Sequence, residues 1–506
     1  MLAIGCGSVT ISNADDDDDD DSVDAGTSDG EPSETGNPQS VSGSILIGWV
    51  NQAGMEERPS NATPADMAAI VPRSDGGFDV RPVSAIHSDG RFTVDGVPDG
   101  PYYLRYVNDF FYTTRRELDI GWTKIGRPTA GRITQPTPVT FNVTGLKSWQ
   151  GDAIDFFSLS GARWMWMDEG DSAVNPPQDG DTSLSGFKVN FAEADFPYVV
   201  DSTMGDTALL YQAAIRTSSG DEGYIAMDRV LAIDSLSMVN GGSATISGAF
   251  TNLDDASNVS VSLTWARSRF EGFRAAVHPQ AQRRFQQLAI LAAPPGLNPS
   301  DEYNAATLLR LSRSAGNASD ADMALGTVKY PPYFPPSWTV YCYAQHSHAI
   351  TYQLPGAAAT THTLTGNMFA DRVGNCVSKP IEPKLSPPRN VMINGASAVA
   401  GTAIEGAGLR PRVSWSPPGI GTPSGYVIIV YRLLASNGGT GFQTAGRVFT
   451  TETEVALPPG LLQAGQHYFF AVAAVTRGTG NDFAAAPFRG GLPFMEARAY
   501  TNRLTP

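Results

Sequence analysis

The sequence predicts an all-β chain: several β-sandwich domains behind a disordered acidic N-terminal tail. Three observations carry that expectation. Glycine and proline are abundant, at 52 and 36 residues, while only 17% of the 506 residues are charged, a composition that suits turn-rich extracellular β domains better than a cytosolic helical enzyme. Short runs of alternating apolar residues recur between turn signals from Val41 onward, and period-two alternation is the signature of strands. Residues 7–40 contain no Lys, Arg or aromatic residue, yet hold eleven carboxylates, among them the unbroken run Asp15–Asp21.

Like charges with nothing apolar to bury keep a segment unfolded, so residues 7–40 are expected to act as a spacer spanning on the order of 30 Å. The formal charge is −16, and removing the tail's eleven acids leaves −5 for all the rest. That balance disfavours nucleic acid and anionic membrane surfaces, which require a basic footprint. The aspartate run lacks the spaced oxygen ligands and turn glycine of a calcium loop, and neither a metal nor a cofactor is expected. No run of eighteen apolar residues follows Cys6, so no membrane-spanning helix is expected there. A chain of this length holds several cores, and composition shifts divide it at 1–40, 41–130, 131–380 and 381–506.

Cys6 follows Leu2-Ala3-Ile4-Gly5 and precedes the flexible tail. A small residue before a cysteine, after short apolar residues, resembles the cleavage and lipidation site of bacterial lipoproteins. The match is partial: Ala3 stands where that family usually has Leu, and only five residues precede Cys6, as they would if the start lay upstream. The resemblance implies an acylated Cys6 as lipid anchor, at the cell surface or the periplasmic face of an outer membrane; simple secretion is the alternative. Cys342 and Cys376 then remain as an even pair, expected as a disulfide in an oxidising location. Two separate buried thiols are the other reading.

The first folded module opens with the apolar run Val41–Val50. Asp89-Gly90 turns the chain, Phe92 and Val94 alternate onto one face, and Asp99-Gly100 turns it again before the aromatic strand Tyr102–Val107. The stretch Asp89–Leu104 resembles the carboxypeptidase-regulatory-like, transthyretin-like family, which implies an accessory β-sandwich without catalytic residues. The segment Glu56–Val80 is longer than that pattern. His87, one residue before the turn, is expected on a solvent-facing edge.

In the central region, strands are expected over Val139–Val143, Ile154–Leu159, Leu184–Phe191, Ala208–Ile215, Tyr224–Ile233, Ala244–Phe250 and Val259–Trp265, forming one large sandwich or two smaller ones. Pro279–Ala293 is rich in helix formers, and a short helix over His278–Gln286 running into a strand is expected there. Trp164 and Trp166 share a strand face ahead of the acidic stretch containing Asp168, Glu169, Asp171, Asp179 and Asp181. Exposed, the tryptophans would form a sugar-stacking platform with Asp168 and Asp181 beside it; core filling and a solvated loop outweigh that reading. His346 and His348 alternate within Trp338–Ala349, with His362 on a neighbouring run. Two imidazoles on one face supply part of a zinc site, but no third firm ligand is local and Ser347 has no matching base. The stiff string Tyr330–Pro336 serves either for docking or as an edge covering.

In the last module, Trp415 centres the strand Arg412–Ser416, Gly425–Arg432 alternates cleanly, and Leu462 leads into Tyr468–Val475. This order resembles the fibronectin type III fold. The resemblance implies a core tryptophan at Trp415 and, from Leu462 and Tyr468, a tyrosine corner in which the hydroxyl caps a nearby backbone group. The insertion Ala396–Leu409 and the broad loop Gly478–Pro493 depart from the pattern, and His467 is expected exposed.

No phosphate-cradling loop, nucleophile elbow or zinc-protease motif occurs in the sequence,. The expectation is a monomeric, surface-anchored or secreted β-sandwich protein that binds an extracellular protein or glycan, non-enzymatic rather than enzymatic. The rival is an accessory or catalytic component acting on extracellular polysaccharide or protein through 131–380.

Overall fold

Alternating strands broken by Gly, Pro and Asp turns build an almost entirely β structure. The computed structural model describes residues 39–51, 54–158, 165–166, 173–192, 198–297, 305–377, 379–401, 403–436, 439–478 and 480–506. The acidic tail and Cys6 lie outside the described residues.

In the first segment, Gln39–Ser44 lies between Glu117–Asp119 and Arg91–Val97, and Leu46–Asn51 lies between Trp122–Ile125 and Gly54–Pro59. Phe92 and Val94 point inward, both at most 1% exposed, against Val41, Leu104 and Phe111. The long stretch after Glu56 is accounted for by two further strands, Met67–Pro72 and Phe78–Pro82, which pair with each other while Met67–Pro72 also pairs with Tyr102–Tyr106.

The central segment contains two cores. Pro138–Thr144, flanked by Ser183–Asn190 and Ala244–Ala249, packs on Ala153–Ser158 and Ala208–Thr217 around Phe141, Phe156 and Phe187. Val259–Trp265 with Met323–Tyr330 packs on Gln282–Ala293, Ala306–Ser314 and Thr339–Tyr352 around Trp265, Leu288 and Cys342. All seven strands expected from alternation between Val139 and Trp265 are present, with ends displaced by one or two residues.

The helix expected at His278–Gln286 is absent. Gln282–Ala293 is a single twelve-residue strand, and two short helices stand upstream, Arg267–Glu271 and Arg274–Val277. The residues there are good helix formers, but both edges of the segment pair with neighbouring strands. Leu288, Ile290 and Ala292 enter one core while Ala289, Leu291 and Ala293 enter another. Burial on both faces overrides propensity.

The last segment is a sandwich. Ala396–Ser397, Arg389–Ile393, Arg412–Ser416 and Glu454–Ala456 form one sheet, facing Gly439–Thr450, Gly425–Ser436, Tyr468–Arg477 and Phe494–Tyr500.

The segments are not strung apart. Asp109–Thr113 of the first pairs in parallel with Gly439–Thr450 of the last, and Thr360–Arg372 of the centre pairs antiparallel with Phe494–Tyr500. One hydrogen-bonded sheet of nineteen strands therefore runs through all three. One core cluster likewise draws Phe111 from the first segment, Ile350 and Tyr352 from the centre, and Phe449 and Phe469 from the last. Phe111 stacks on Phe449 at 5.1 Å and Tyr352 on Phe469 at 4.1 Å.

The loop after Gly478, read from sequence as a surface departure, fastens this junction. Phe483 is buried, and Phe488 meets Phe111 and Phe449 edge-on. Asp119 N donates to Ala485 O at 2.8 Å and Thr113 Oγ1 to Ala484 O at 3.1 Å. Arg489 Nε reaches Asp119 Oδ2 at 2.8 Å, and Arg115 reaches Asp482 at 2.8 Å.

Candidate functional site

A group of buried ionisable side chains lies where two cores meet on one sheet face. Along Thr339–Tyr352, Cys342 and Ala344 belong to the central core and Ile350 and Tyr352 to the inter-segment core. His346 and His348 stand between them, both fully buried. Strand register aligns Gln286, His346 and Asn367 side by side across three strands, and paired residues share a face. The two short helices cover this row: Phe270 stacks flat on the His346 ring at 4.3 Å, and Glu271 turns its carboxylate inward.

His346 Nδ1 lies 3.0 Å from Glu271 Oε1, the same oxygen that accepts from Gln286 Nε2 at 2.8 Å. His348 Nε2 is 3.5 Å from Oε2, an electrostatic contact too long for a strong hydrogen bond,. Arg274 Nη1 stands 3.6 Å from Oε2 at the edge of the cluster. Gln286 is held in place by Ser319, whose carbonyl accepts from Nε2 at 2.9 Å and whose N–H donates to Oε1 at 3.2 Å. Burial disfavours the charge on Glu271, but hydrogen bonds from His346, His348 and Gln286 hold its carboxyl well below the usual range. Burial pushes the His346 imidazole down, against the pull of Glu271, so Glu271 is the charged member of that pair and the His346 ring the neutral one.

The sequence placed the two histidines on one face, as the structure does, but gave no sign of Glu271, 75 positions upstream on an unexpected helix. Ser347 faces the other way and accepts from Gln345 Nε2 at 3.0 Å, so it is no nucleophile for these imidazoles. His362 lies against Phe442 at 4.9 Å, away from the pair. Among the described residues no three of His, Cys, Asp or Glu are grouped to hold a metal ion.

The other sequence-derived sites fall elsewhere. Trp164 and Asp168 lie outside the described residues; Met165–Trp166 is a two-residue strand paired with Ala153–Ser158. Asp181 is exposed beside an open groove of about 470 Å³ lined by Asn175, Pro176, Pro177 and Gln178. Its Oδ2 accepts from Gln178 N at 2.7 Å, closing a local turn. The Tyr330–Pro336 string is packed down rather than presented: Phe334 stacks on Trp338 at 4.6 Å and meets Phe157 edge-on. His87 is exposed, and His467 is half-buried with Nδ1 2.9 Å from Thr505 Oγ1.

Cys342 and Cys376 are buried neighbours, and both are free thiols in this structure, so the expected disulfide is not formed in it. Hydrogen bonding to Cys376, then burial, pushes the Cys342 thiol far up, which suppresses the reactive thiolate. In the last segment Trp415 is buried against Tyr426, Leu462 is buried in the same core, and Tyr468 Oη accepts the Gln463 N–H at 2.9 Å.

No known family's sequence model matches this chain, and no curated protein matches it. One solved structure, described as a tetra-tandem repeat in the extending region of a large adhesion protein, aligns over 91% of this chain and 99% of its own, at 10% identity and a TM-score of 0.10. A score that low carries no structural likeness. No helix among the described residues is long and apolar enough to cross a membrane.

Proposed function

We propose that this chain is an extracellular binding or scaffolding protein, displayed at the cell surface on its acidic tail with Cys6 as the acylated anchor. The observation that carries the scaffold reading is the strand pairing between segments: the Asp109–Thr113 and Thr360–Arg372 strands each complete a sheet of the last segment. Such pairing fixes the segments relative to one another and holds their loops as one rigid display surface, the usual arrangement for loop-borne recognition. The Glu271–His346–His348 group supports the same reading, since its members are spent on one another under a helical cover and offer no approach to a substrate. We read the last segment as fibronectin type III-like on its four-stranded sheet facing four strands of the nineteen-stranded one, the buried Trp415 and the Tyr468 bond to Gln463. The first remains carboxypeptidase-regulatory-like on the strands around Asp89–Leu104. In an oxidising location the adjacent Cys342 and Cys376 would join as the disulfide.

Two measurements test this. Intact mass of the membrane fraction would show acyl chains on the Cys6 peptide, and an unmodified Cys6 in native material overturns the anchor. A screen of the whole folded chain against glycans and extracellular proteins is expected to return a saturable ligand. Turnover of a polysaccharide or protein substrate by the purified chain would overturn the non-enzymatic reading in favour of the rival.

A further inference from the structure

The helices Arg267–Glu271 and Arg274–Val277 are five and four residues long, too short to persist without packing. What fastens them is mixed. Phe270 enters the central core and Val277 the inter-segment core. Arg267 Nε donates to Ala321 O at 2.7 Å and Ser268 N to Asp322 Oδ1 at 2.9 Å. His278 Nε2, just beyond, lies 3.1 Å from Asn502 Oδ1 of the last segment. Between the two apolar anchors the only charged attachment to the sheet among the described residues is Glu271 on His346, His348 and Gln286.

That attachment has room for one state of charge. Glu271 is already countered by Arg274 at 3.6 Å. Arg267 stands over Trp265, which itself meets the His346 ring edge-on at 5.3 Å. The nearest further carboxylate, Asp320, is half-exposed and engaged with Arg274 and Arg283. The sheet neighbours of His346, Gln286 and Asn367, are neutral, while His348 has the cation Arg283 as its register partner on one side and Leu364 on the other. His346 Nε2, both nitrogens of His348, both polar atoms of Asn367 and Glu271 Oε2 are buried without a hydrogen-bond partner. Those unpaired atoms already carry a desolvation cost with the rings neutral, and a charge on a ring adds a larger one. A proton added to the His346 ring creates a buried cation that must share the Glu271 carboxylate with the part-exposed Arg274,.

We propose that the Glu271–His346–His348 group is an acid-sensitive latch: it holds the 267–278 cover on the sheet at neutral pH and releases it when the His346 ring is protonated, loosening the seam between the central and last segments. The sign follows from linkage. An imidazole whose folded value lies below the ordinary 6.5 leaves stability intact above that pH and subtracts it as pH falls below, because the unfolded chain takes the proton first,. Glu271, held below its ordinary 4.5, adds a second loss only under that lower pH. Release should thus begin in the window below about 6.5, ahead of any general acid unfolding.

Hydrogen–deuterium exchange on the whole chain at pH 7.5, 6.0 and 5.0, corrected for intrinsic rates, tests the latch. Amides of 267–278 are expected to lose at least tenfold in protection between pH 7.5 and 5.0, with those of Pro138–Thr144, in the other central core, unchanged. The His346→Gln and His348→Gln double variant should flatten that profile. Constant protection in the wild-type chain, an equal loss everywhere, or an undiminished loss in the double variant would each overturn the proposal. Should the variant not fold, ring shifts of labelled histidines in the wild-type chain decide: loss of protection must track the buried rings' titration, and a different midpoint overturns it.

Discussion

The fusion of the first and last segments makes a quantitative prediction at Asp109 and Arg447. The two are register partners across the parallel pairing, and Arg447 Nε and Nη2 each donate to one Asp109 oxygen at 2.7 Å. Burial opposes the Arg447 charge, but Asp109 more than offsets it and holds the guanidinium above its ordinary value. The Arg447 guanidinium also lies over Phe449 and Phe488, at 5.6 and 5.7 Å. Two charge-assisted bonds in a dry site would contribute roughly 1.5–3 kcal/mol each. The Arg447 side chain is 35% exposed and that of Asp109 15%, so solvent screening reduces the pair to about 2 kcal/mol of coupling. The perturbation is a double-mutant cycle of Asp109→Asn and Arg447→Met, which keep shape and stem, read by urea denaturation followed through tryptophan fluorescence and far-UV circular dichroism. Asp109→Asn alone should cost about 2–3 kcal/mol because it leaves a part-buried cation uncompensated. Both probes should report one coincident transition. Coupling below about 0.5 kcal/mol, or a first segment that melts separately at an unchanged midpoint, would refute the reasoning that these segments share a core.

Three further expectations follow from single contacts. Gly425→Ala would put a Cβ 2.1 Å from the Phe483 ring; evicting that ring should destabilise by about 1–3 kcal/mol, and raised protease cleavage within 480–493 would register the loosened loop. Gly366→Ala would place its Cβ 2.5 Å from His348 Nδ1, and a similar loss of stability in urea is expected, because the ring has nowhere to move. Tyr468→Phe removes the bond to Gln463 N and should lower stability by about 1 kcal/mol. For the thiols, reduced native protein should resist iodoacetamide at both Cys342 and Cys376 at pH 8, with both labelled after denaturation; rapid native labelling would contradict their burial.

Much of the fold could be read in advance where strands carry one wet face. Val259–Trp265 and Pro138–Thr144 alternate cleanly because one side meets solvent, and period-two pattern reports that asymmetry directly,. Gln282–Ala293 was legible only in its second half, where a strand was expected after Gln286; with eight successive buried residues at its C-terminal end it has no polar face to set the period and extend the strand back to Gln282,. The joins between segments were equally hidden. Nothing in Asp109-Phe110-Phe111-Tyr112 says that its partner lies more than three hundred positions away. Part of the latch was visible, since His346 and His348 are two apart in a strand, but Glu271 owes its position to a helix shorter than any propensity window resolves,.

Because the segments share sheets, a ligand surface cannot be assigned by cutting them apart. Thr360–Arg372 has Thr339–Tyr352 on one edge and Phe494–Tyr500 on the other; a fragment ending at residue 380 would expose the second edge, an open template for aggregation. It would also strip Val277, Ile350 and Tyr352 of the apolar partners supplied by the last segment. Non-specific adhesion of such a fragment would then report the severed core instead of a recognition surface. Binding measured on the intact body is free of that artefact, and substitutions in its exposed loops, such as those lining the groove beside Asp181, then locate it.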